Sequence, residues 1–182
     1  MALDRDLERE LLVKAQDGDG KAFGELAKDA WSRMYAVCLS ITGNKADAED
    51  ALQNALTSAW RNLHRFDGGA RFSTWAYRIA SNSALQLVRS RRELPDEDAG
   101  VNEVAAGTGV DRQVAASMVV RDALQTLAPE FREAITLREY AGMSYAEIAQ
   151  HQGIGVQTVK SRISRARRKL LSALEEAGVS SE

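Results

Sequence analysis

Residues 159–170, VKSRISRARRKL, hold six cations (Lys160, Arg162, Arg165, Arg167, Arg168 and Lys169) and no acid. Through them runs an apolar set, Val159, Ile163, Ala166, Leu170 and Leu174, spaced 4, 3, 4 and 4. That period is helical, so the cations ride on the faces left by a buried stripe. Cationic donors on one helix suit two tasks. Lys160 and Arg162 can donate to guanine and Gln157 can bond adenine bidentately, whereas Arg165, Arg167, Arg168 and Lys169 suit phosphates. The preceding stretch, SYAEIAQHQ over residues 144–152, opens with a capping box of Ser144 and Glu147. Gly153, Ile154 and Gly155 then supply a tight turn. Short helix, turn and long basic helix form the helix-turn-helix pattern, in which the front of the second helix reads bases. Here that front is Gln157, Thr158, Lys160, Ser161 and Arg162.

Other chemistry finds no support. His64 and His151 lie far apart without carboxylate or thiol clusters. There is no metal-ligand spacing, no Gly-rich phosphate loop and no nucleophile motif, so neither enzymatic activity nor a metal or cofactor is expected. The one cysteine, Cys38, cannot form an internal disulfide and fits a reducing cytoplasm. The front of the chain, MALDRDLERELL, is charged throughout and does not resemble a signal peptide. No stretch has membrane-spanning length.

The elements that must position the basic helix are helical too. From Phe23 the apolar residues fall at 23, 26, 27, 30, 31, 34, 35, 38 and 41, with Asp19 placed to cap and Gly43 to stop the helix. A second helix over residues 45–64 has the inner face Ala48, Leu52, Ala55, Leu56, Ala59 and Leu63. Its opposite face carries Asp50, Gln53, Asn54, Thr57 and Arg61. A glycine-bearing joint, FDGGARFSTW, leads to a third helix from about residue 73 to 92. Further on, LAPEFREAITLREYAG places Pro129 at a first helical position and Gly142 at the end. No segment shows period-two alternation, so the expectation is an all-α fold.

Charge divides the chain. The total is −2, but residues 1–92 carry +2, residues 93–120 carry −5 and residues 121–182 carry +1. The acidic middle, with Pro95, three glycines and few large apolar residues, reads as an exposed flexible linker. The expected organisation is therefore a helical domain at 1–92, a linker at 93–120 and a helix-turn-helix domain at 121–182.

Two motif sets together resemble the sigma factors of bacterial RNA polymerase, in particular the extracytoplasmic-function (ECF) group. DAEDALQNALTSAWRNL, residues 47–63, resembles the family's polymerase-binding helix. FDGGARFSTWAYRIASNSALQLVRSRR, residues 66–92, resembles its promoter-melting and minus-ten-reading segment. Residues 124–170 resemble its minus-thirty-five-reading domain. The resemblance implies that Asp47, Asp50, Gln53, Asn54 and Arg61 bind core RNA polymerase, whose coiled coil on the largest subunit and whose flap are the family's docking points. Asn54 stands where the family usually has an acid, and Leu56 where it has an aromatic. The loop from Phe66 to Ser73 would capture a flipped minus-ten base, with Phe72, Ser73, Trp75 and Asn82 as wall and polar partners and with Arg71, Arg78, Arg89, Arg91 and Arg92 on phosphates. Gln157, Thr158, Lys160, Ser161, Arg162, Arg165 and Arg168 would serve the minus-thirty-five element. The implied function is an alternative sigma factor that directs promoter-specific initiation, with promoter DNA, core polymerase and an anti-sigma protein as partners and the cytoplasm as its place. The competing reading is a stand-alone helix-turn-helix regulator that recruits no polymerase, which would not need the helix at 47–63.

Overall fold

The computed structural model describes residues 3–93 and 112–178. The charged front of the chain folds as α1 (Arg5–Gln16), an element that composition alone did not reveal. Its buried side chains, Glu8, Leu12 and Ala15, recur at 4 and 3, so only a narrow stripe carries the helix onto its neighbours. α2 (Gly20–Thr42) starts and stops where the sequence places its signals. The Asp19 carboxylate accepts the Lys21 and Ala22 N–H groups at 2.8 and 3.3 Å. Gly43 closes the helix in the left-handed region, φ 82°, its N–H donating to the Leu39 carbonyl. The α2 core face includes Leu26, Ala30, Met34, Val37, Cys38 and Ile41. Trp31, grouped with that face by spacing, is instead 50% exposed. Cys38 is fully buried, and burial pushes its thiol up to about 12; it is a core residue.

α3 (Lys45–Asn62) is capped by Asn44, whose side chain accepts the Asp47 N–H at 2.9 Å. A short 3-10 turn, Leu63–Arg65, and the loop of residues 66–71 lead to α4 (Phe72–Glu93). α2, α3 and α4 pack on one another, and α1 lies along α2. Small residues make this close approach possible: Ala48, Ala51, Ala55, Ala76, Ala80 and Ala84 are all fully buried between the three.

The second unit holds α5 (Arg112–Gln125), α6 (Pro129–Glu139), α7 (Tyr145–Gln152) and α8 (Val156–Glu176). α5 begins inside the stretch that composition reads as linker. Among its described side chains the buried ones, Ala123 and Leu124, sit at its end, and two adjacent residues set no apolar period that would announce a helix. The linker expectation for residues 94–111 lies outside the described residues. α6 opens with Pro129 at its first position, as expected, but ends at Glu139, three residues before the Gly142 that the sequence placed at its end; Gly142 adopts φ 67° in the link to α7. Among the described residues every regular element is helical, in agreement with the all-α reading.

The two units are packed together through α2 and α4 against α5 and α6. One apolar cluster runs through both, from Leu26 and Met34 to Ala134, Leu137, Ile148 and Val159. A polar seam accompanies it. The α2 helix ends with carbonyls that need donors. Arg132, 3% exposed, donates to Ile41 O at 2.7 Å while also bonding Gln125 Oε1, Gln125 O and Leu127 O. The Gln125 amide donates to Ser40 O at 3.1 Å. A guanidinium here also meets the negative end of the α2 dipole. The approach is close enough that a Cβ at Gly43 would lie 2.5 Å from Gln125 Cδ.

Candidate nucleic-acid interface

The helix-turn-helix forms as its local chemistry demands. Ser144 Oγ accepts the Glu147 N–H at 3.2 Å and Glu147 Oε2 accepts the Ser144 N–H at 2.8 Å, closing the capping box. Gly153, φ 66°, ends α7 and the Ile154 N–H turns back to Ala149 O. α8 then buries Val159, Ile163 and Ala166, while Leu170 and Leu174 are half-buried. Gln157, Thr158, Lys160, Ser161, Arg165 and Arg168 all stand exposed on this helix. The other cations are engaged. Arg167 pairs with Glu139 at 2.6 Å, and Lys169 donates to Thr126 O at 2.9 Å. Arg162 is half-buried, donates to Gln152 Oε1 at 2.9 Å and lies over the Phe131 ring at 5.9 Å. The tie to α7 aims Arg162 rather than leaving it free, a constraint that spacing could not reveal.

On α3, Asp50, Gln53, Asn54, Thr57 and Arg61 form one exposed face. Trp60, 39% exposed and tilted against Phe23 at 5.1 Å, borders it. Asp47 is separate. It is 3% exposed, bonds the Asn44 side chain at 2.8 Å and forms an ion pair with Arg91. It joins the start of α3 to the end of α4, an internal task that its place in a polar motif does not disclose.

The joint between α3 and α4 gathers the aromatic residues. Phe66 and Trp75 approach to 5.0 Å between ring centroids, and Phe72 sits edge-on to Phe66 at 6.4 Å and to Phe23 at 6.1 Å. Phe72 is 2% exposed. It is the floor of the aromatic set, not a side chain open to a ligand. Ser73, Trp75 and Arg78 are half-buried, and Asn82 and Arg89 are exposed further along α4. A cleft of about 620 Å³ opens beside the loop, lined by Arg5, Arg65, Arg71, Thr74, Trp75 and Arg78 and, across it, Glu147 and Gln150 of α7. An aromatic wall ringed by arginines offers stacking to a base and charge to its phosphates. Arg71 is itself held, through Glu8 Oε2 at 2.7 Å and Leu3 O at 2.6 Å.

The two candidate DNA surfaces adjoin at one edge in this arrangement, where Asn82 and Arg89 of the first and Arg162 of the second border one cleft. Arg78 Nη2 donates to Gln150 Oε1 at 3.3 Å. A second cleft, of about 760 Å³, is lined from one side by Asn82, Gln86 and Arg89 and from the other by Glu130, Glu133, His151, Gln152 and Arg162. At its base Glu133, 7% exposed, accepts from Ser81 Oγ at 2.7 Å and from Gln152 Nε2 at 2.9 Å, and meets His151 Nε2 at 2.8 Å. Burial by itself raises the Glu133 carboxyl, but hydrogen bonds with His151, Ser81 and Gln152 outweigh it and hold the group below the ordinary carboxylate value.

No group of three or more His, Cys, Asp or Glu among the described residues is arranged to hold a metal ion. No helix of the described residues is long and apolar enough to cross a membrane.

Comparison with known proteins supplies independent observations. The family model for sigma-70 region 2 matches residues 18–93, and that for sigma-70 region 4 matches residues 117–170. The chain is 32% identical to the RNA polymerase sigma-H factor of Pseudomonas aeruginosa, over 95% of this chain and 96% of that protein. It is 34% identical to the ECF RNA polymerase sigma-E factor of Escherichia coli K12, over 86% and 88%. In structure it is similar to CnrH solved in complex with the cytosolic domain of CnrY, at TM-score 0.69 and 28% identity, covering 93% of this chain and 98% of that one. It is similar at the same TM-score and identity to the sigma factor RpoE of Bartonella quintana, solved in complex with the anti-sigma factor NepR, covering 85% and 98%.

Proposed function

From the premise that this chain belongs to the sigma-70 family, in its ECF group, we propose how its residues divide the work of an alternative sigma factor. Such a factor binds core RNA polymerase and directs promoter-specific initiation. The carrying observation is that one chain bears two independent sets of exposed groups. One is the α3 polar face with the arginine-ringed aromatic cleft beside it, and the other is the free front of α8. A stand-alone regulator needs only the last.

In this reading Asp50, Gln53, Asn54 and Arg61 contact core polymerase, with Trp60 as an apolar anchor beside them. Asp47 supports that helix from inside. Trp75 stacks on an extruded minus-ten base over the Phe66 and Phe72 floor, Ser73 and Asn82 offer polar partners, and Arg71, Arg78 and Arg89 neutralise phosphates. Gln157, Thr158, Lys160, Ser161 and Arg162 read the minus-thirty-five element, and Arg165 and Arg168 hold its backbone. The division of the chain into a domain at 1–92, a linker from 93 and a second domain is part of the same proposal, with the second domain extended from residue 121 back to the start of α5 at Arg112. Nothing in these roles requires catalysis, and the protein is read as non-enzymatic and cytoplasmic. A protein of the anti-sigma class, such as the NepR bound to the related RpoE, is its proposed regulator.

The family's two promoter elements lie about one and a half turns apart, roughly 50 Å on B-DNA. Arg78 and Gln150 are within a hydrogen bond of each other here. The packed arrangement therefore represents the polymerase-free state, and the two units must separate to reach both elements at once. Run-off transcription with purified core polymerase on promoter libraries tests the assignment. Transcripts that depend on this chain and on both elements are expected. Nanomolar sequence-specific binding by the free chain, with no co-purification with core polymerase, would favour the stand-alone regulator.

A further inference from the structure

We propose that α1 is the splint of the base-capture loop, with Glu8 and Gln16 as positioning residues for minus-ten recognition. The inference rests on the reading of the α3–α4 joint as the base-capture site. The loop enters from the 3-10 turn and leaves into α4, and α1 holds both ends through polar side chains. At the entry, Gln16 Nε2 donates to Leu63 O at 3.0 Å and to Phe66 O at 2.8 Å. At the exit, Glu8 Oε1 accepts the Phe72 N–H at 2.9 Å, while Glu8 Oε2 pairs with Arg71 Nε at 2.7 Å. Glu8 is 8% exposed. A carboxylate buried to that depth is retained against a desolvation cost, which its two partners offset.

The arrangement has a direct geometric consequence. Phe72 N–H is a first-turn donor of α4, so Glu8 caps that helix from another element and lies at the positive end of its dipole. The same carboxylate, together with Leu3 O at 2.6 Å, fixes Arg71 in place at the edge of the cleft, where it remains 30% exposed. Between the two anchors the chain is exposed at residues 67–70, where Gly68 adopts φ 74° and Asp67 Oδ1 accepts the Gly69 N–H at 2.9 Å. The free part of the loop is thus about four residues long and its ends are fixed. Phe66, part of the aromatic floor, carries the entry anchor itself, and Trp75, the ring a base would stack on, lies three residues past the exit anchor at Phe72, in the first turn of α4. Purely apolar packing of α1, through Leu12 and Ala15, would hold the helix without setting the loop.

The test uses the full chain reconstituted with core polymerase. Glu8→Gln keeps an acceptor for Phe72 N–H and removes the charge facing Arg71; Gln16→Met keeps volume and removes both carbonyl contacts. Three quantities are read: core-polymerase affinity, binding to a promoter with a preformed minus-ten bubble, and the ratio between matched and substituted bases at the captured position. Each variant is expected to keep core affinity within about twofold, to lose about tenfold in bubble binding as a charge-assisted or doubled hydrogen bond is removed, and to lose base discrimination. A merely structural role would weaken all three together or none. Trp75→Ala and Asn82→Ala run alongside. If they leave discrimination intact, the base-capture reading itself fails. If they abolish it while Gln16→Met and Glu8→Gln, folded and with full core affinity, discriminate as the parent does, the splint is refuted. Should Glu8→Gln fail to fold, Gln16→Met decides alone.

Discussion

Ser81→Ala is the smallest change that separates the two units without touching either candidate DNA surface. Ser81 lies on α4, fully buried, and its hydroxyl donates to Glu133 of α6 at 2.7 Å. A hydrogen bond to a charged group is worth about 1.5–3 kcal/mol. Glu133 keeps His151 and Gln152 within its own unit, so the lower end of that range applies. Loss of about 1.5 kcal/mol shifts the docking equilibrium roughly tenfold toward separation. Where polymerase binds only the separated form, its apparent affinity rises by the same factor for as long as the docked form dominates. Folding within each unit is barely affected, because Ala is isosteric with Ser except for the hydroxyl and α4 already packs alanines at Ala80 and Ala84.

Two assays read the result. Core-polymerase affinity of the free chain should rise up to about tenfold. Spin labels at Lys28→Cys on α2 and Ser172→Cys on α8, both exposed positions, should show a longer-distance population growing in the variant. Native Cys38 stays unlabelled, being fully buried with its thiol pushed up to about 12. Unchanged affinity together with an unchanged distance distribution would refute the claim that this bond holds the units together. Reduced affinity with a lengthened distance would refute the claim that separation precedes polymerase binding.

Two further expectations divide residues that look alike in sequence. Arg168→Ala should weaken promoter binding by the holoenzyme about equally on all sequences and lower the salt slope by about one, whereas Lys160→Ala should relax base preference at one upstream position by roughly 1–3 kcal/mol; a promoter-variant screen at several salt concentrations checks both. Asp50→Ala should leave the thermal midpoint unchanged and lower core affinity, whereas Asp47→Ala should lower the midpoint, because removal of a buried partner of Asn44 and Arg91 costs about 1–3 kcal/mol; differential scanning calorimetry beside polymerase titration separates the two.

What the sequence disclosed follows from the range of each signal. Caps and stops act within four residues, and Asp19, Gly43, Ser144 with Glu147 and Pro129 all behave as their types and positions indicate. The α8 stripe was legible because Val159, Ile163 and Ala166 are buried on one side, with Leu170 half-buried in the same line. α1 was not legible because it buries only Glu8, Leu12 and Ala15, and α5 because the helices it packs on, α2 and α8, are distant in sequence. The same limit governs the site. Exposure along a helix is periodic and readable, so Asp50, Gln53, Asn54 and Arg61 could be grouped. Partnership across helices is not periodic, so the withdrawal of Asp47 to Arg91, of Phe72 to the aromatic floor and of Arg167 to Glu139 left no local trace.

The adjacent pair Arg132 and Glu133 shows what this asymmetry means for function. In sequence they are an ordinary charge pair in an amphipathic helix, where solvation is the default. In the fold both are buried, and they face the first unit at different places. Arg132 takes the carbonyl end of α2 through Ile41 O, and Glu133 takes Ser81 on α4. Buried ionic groups of this kind add little net stability compared with apolar replacements, yet leaving one without its partner is costly. Their effect is therefore to admit a single register between the units and to penalise partial separation. Opening must release Ile41 O, Ser40 O and Ser81 together, and water satisfies all three once the seam is broad enough to admit it. A contact made of such groups favours opening in one step, which is what the proposed reading requires, since in it the two candidate DNA surfaces must stand roughly 50 Å apart to reach both promoter elements.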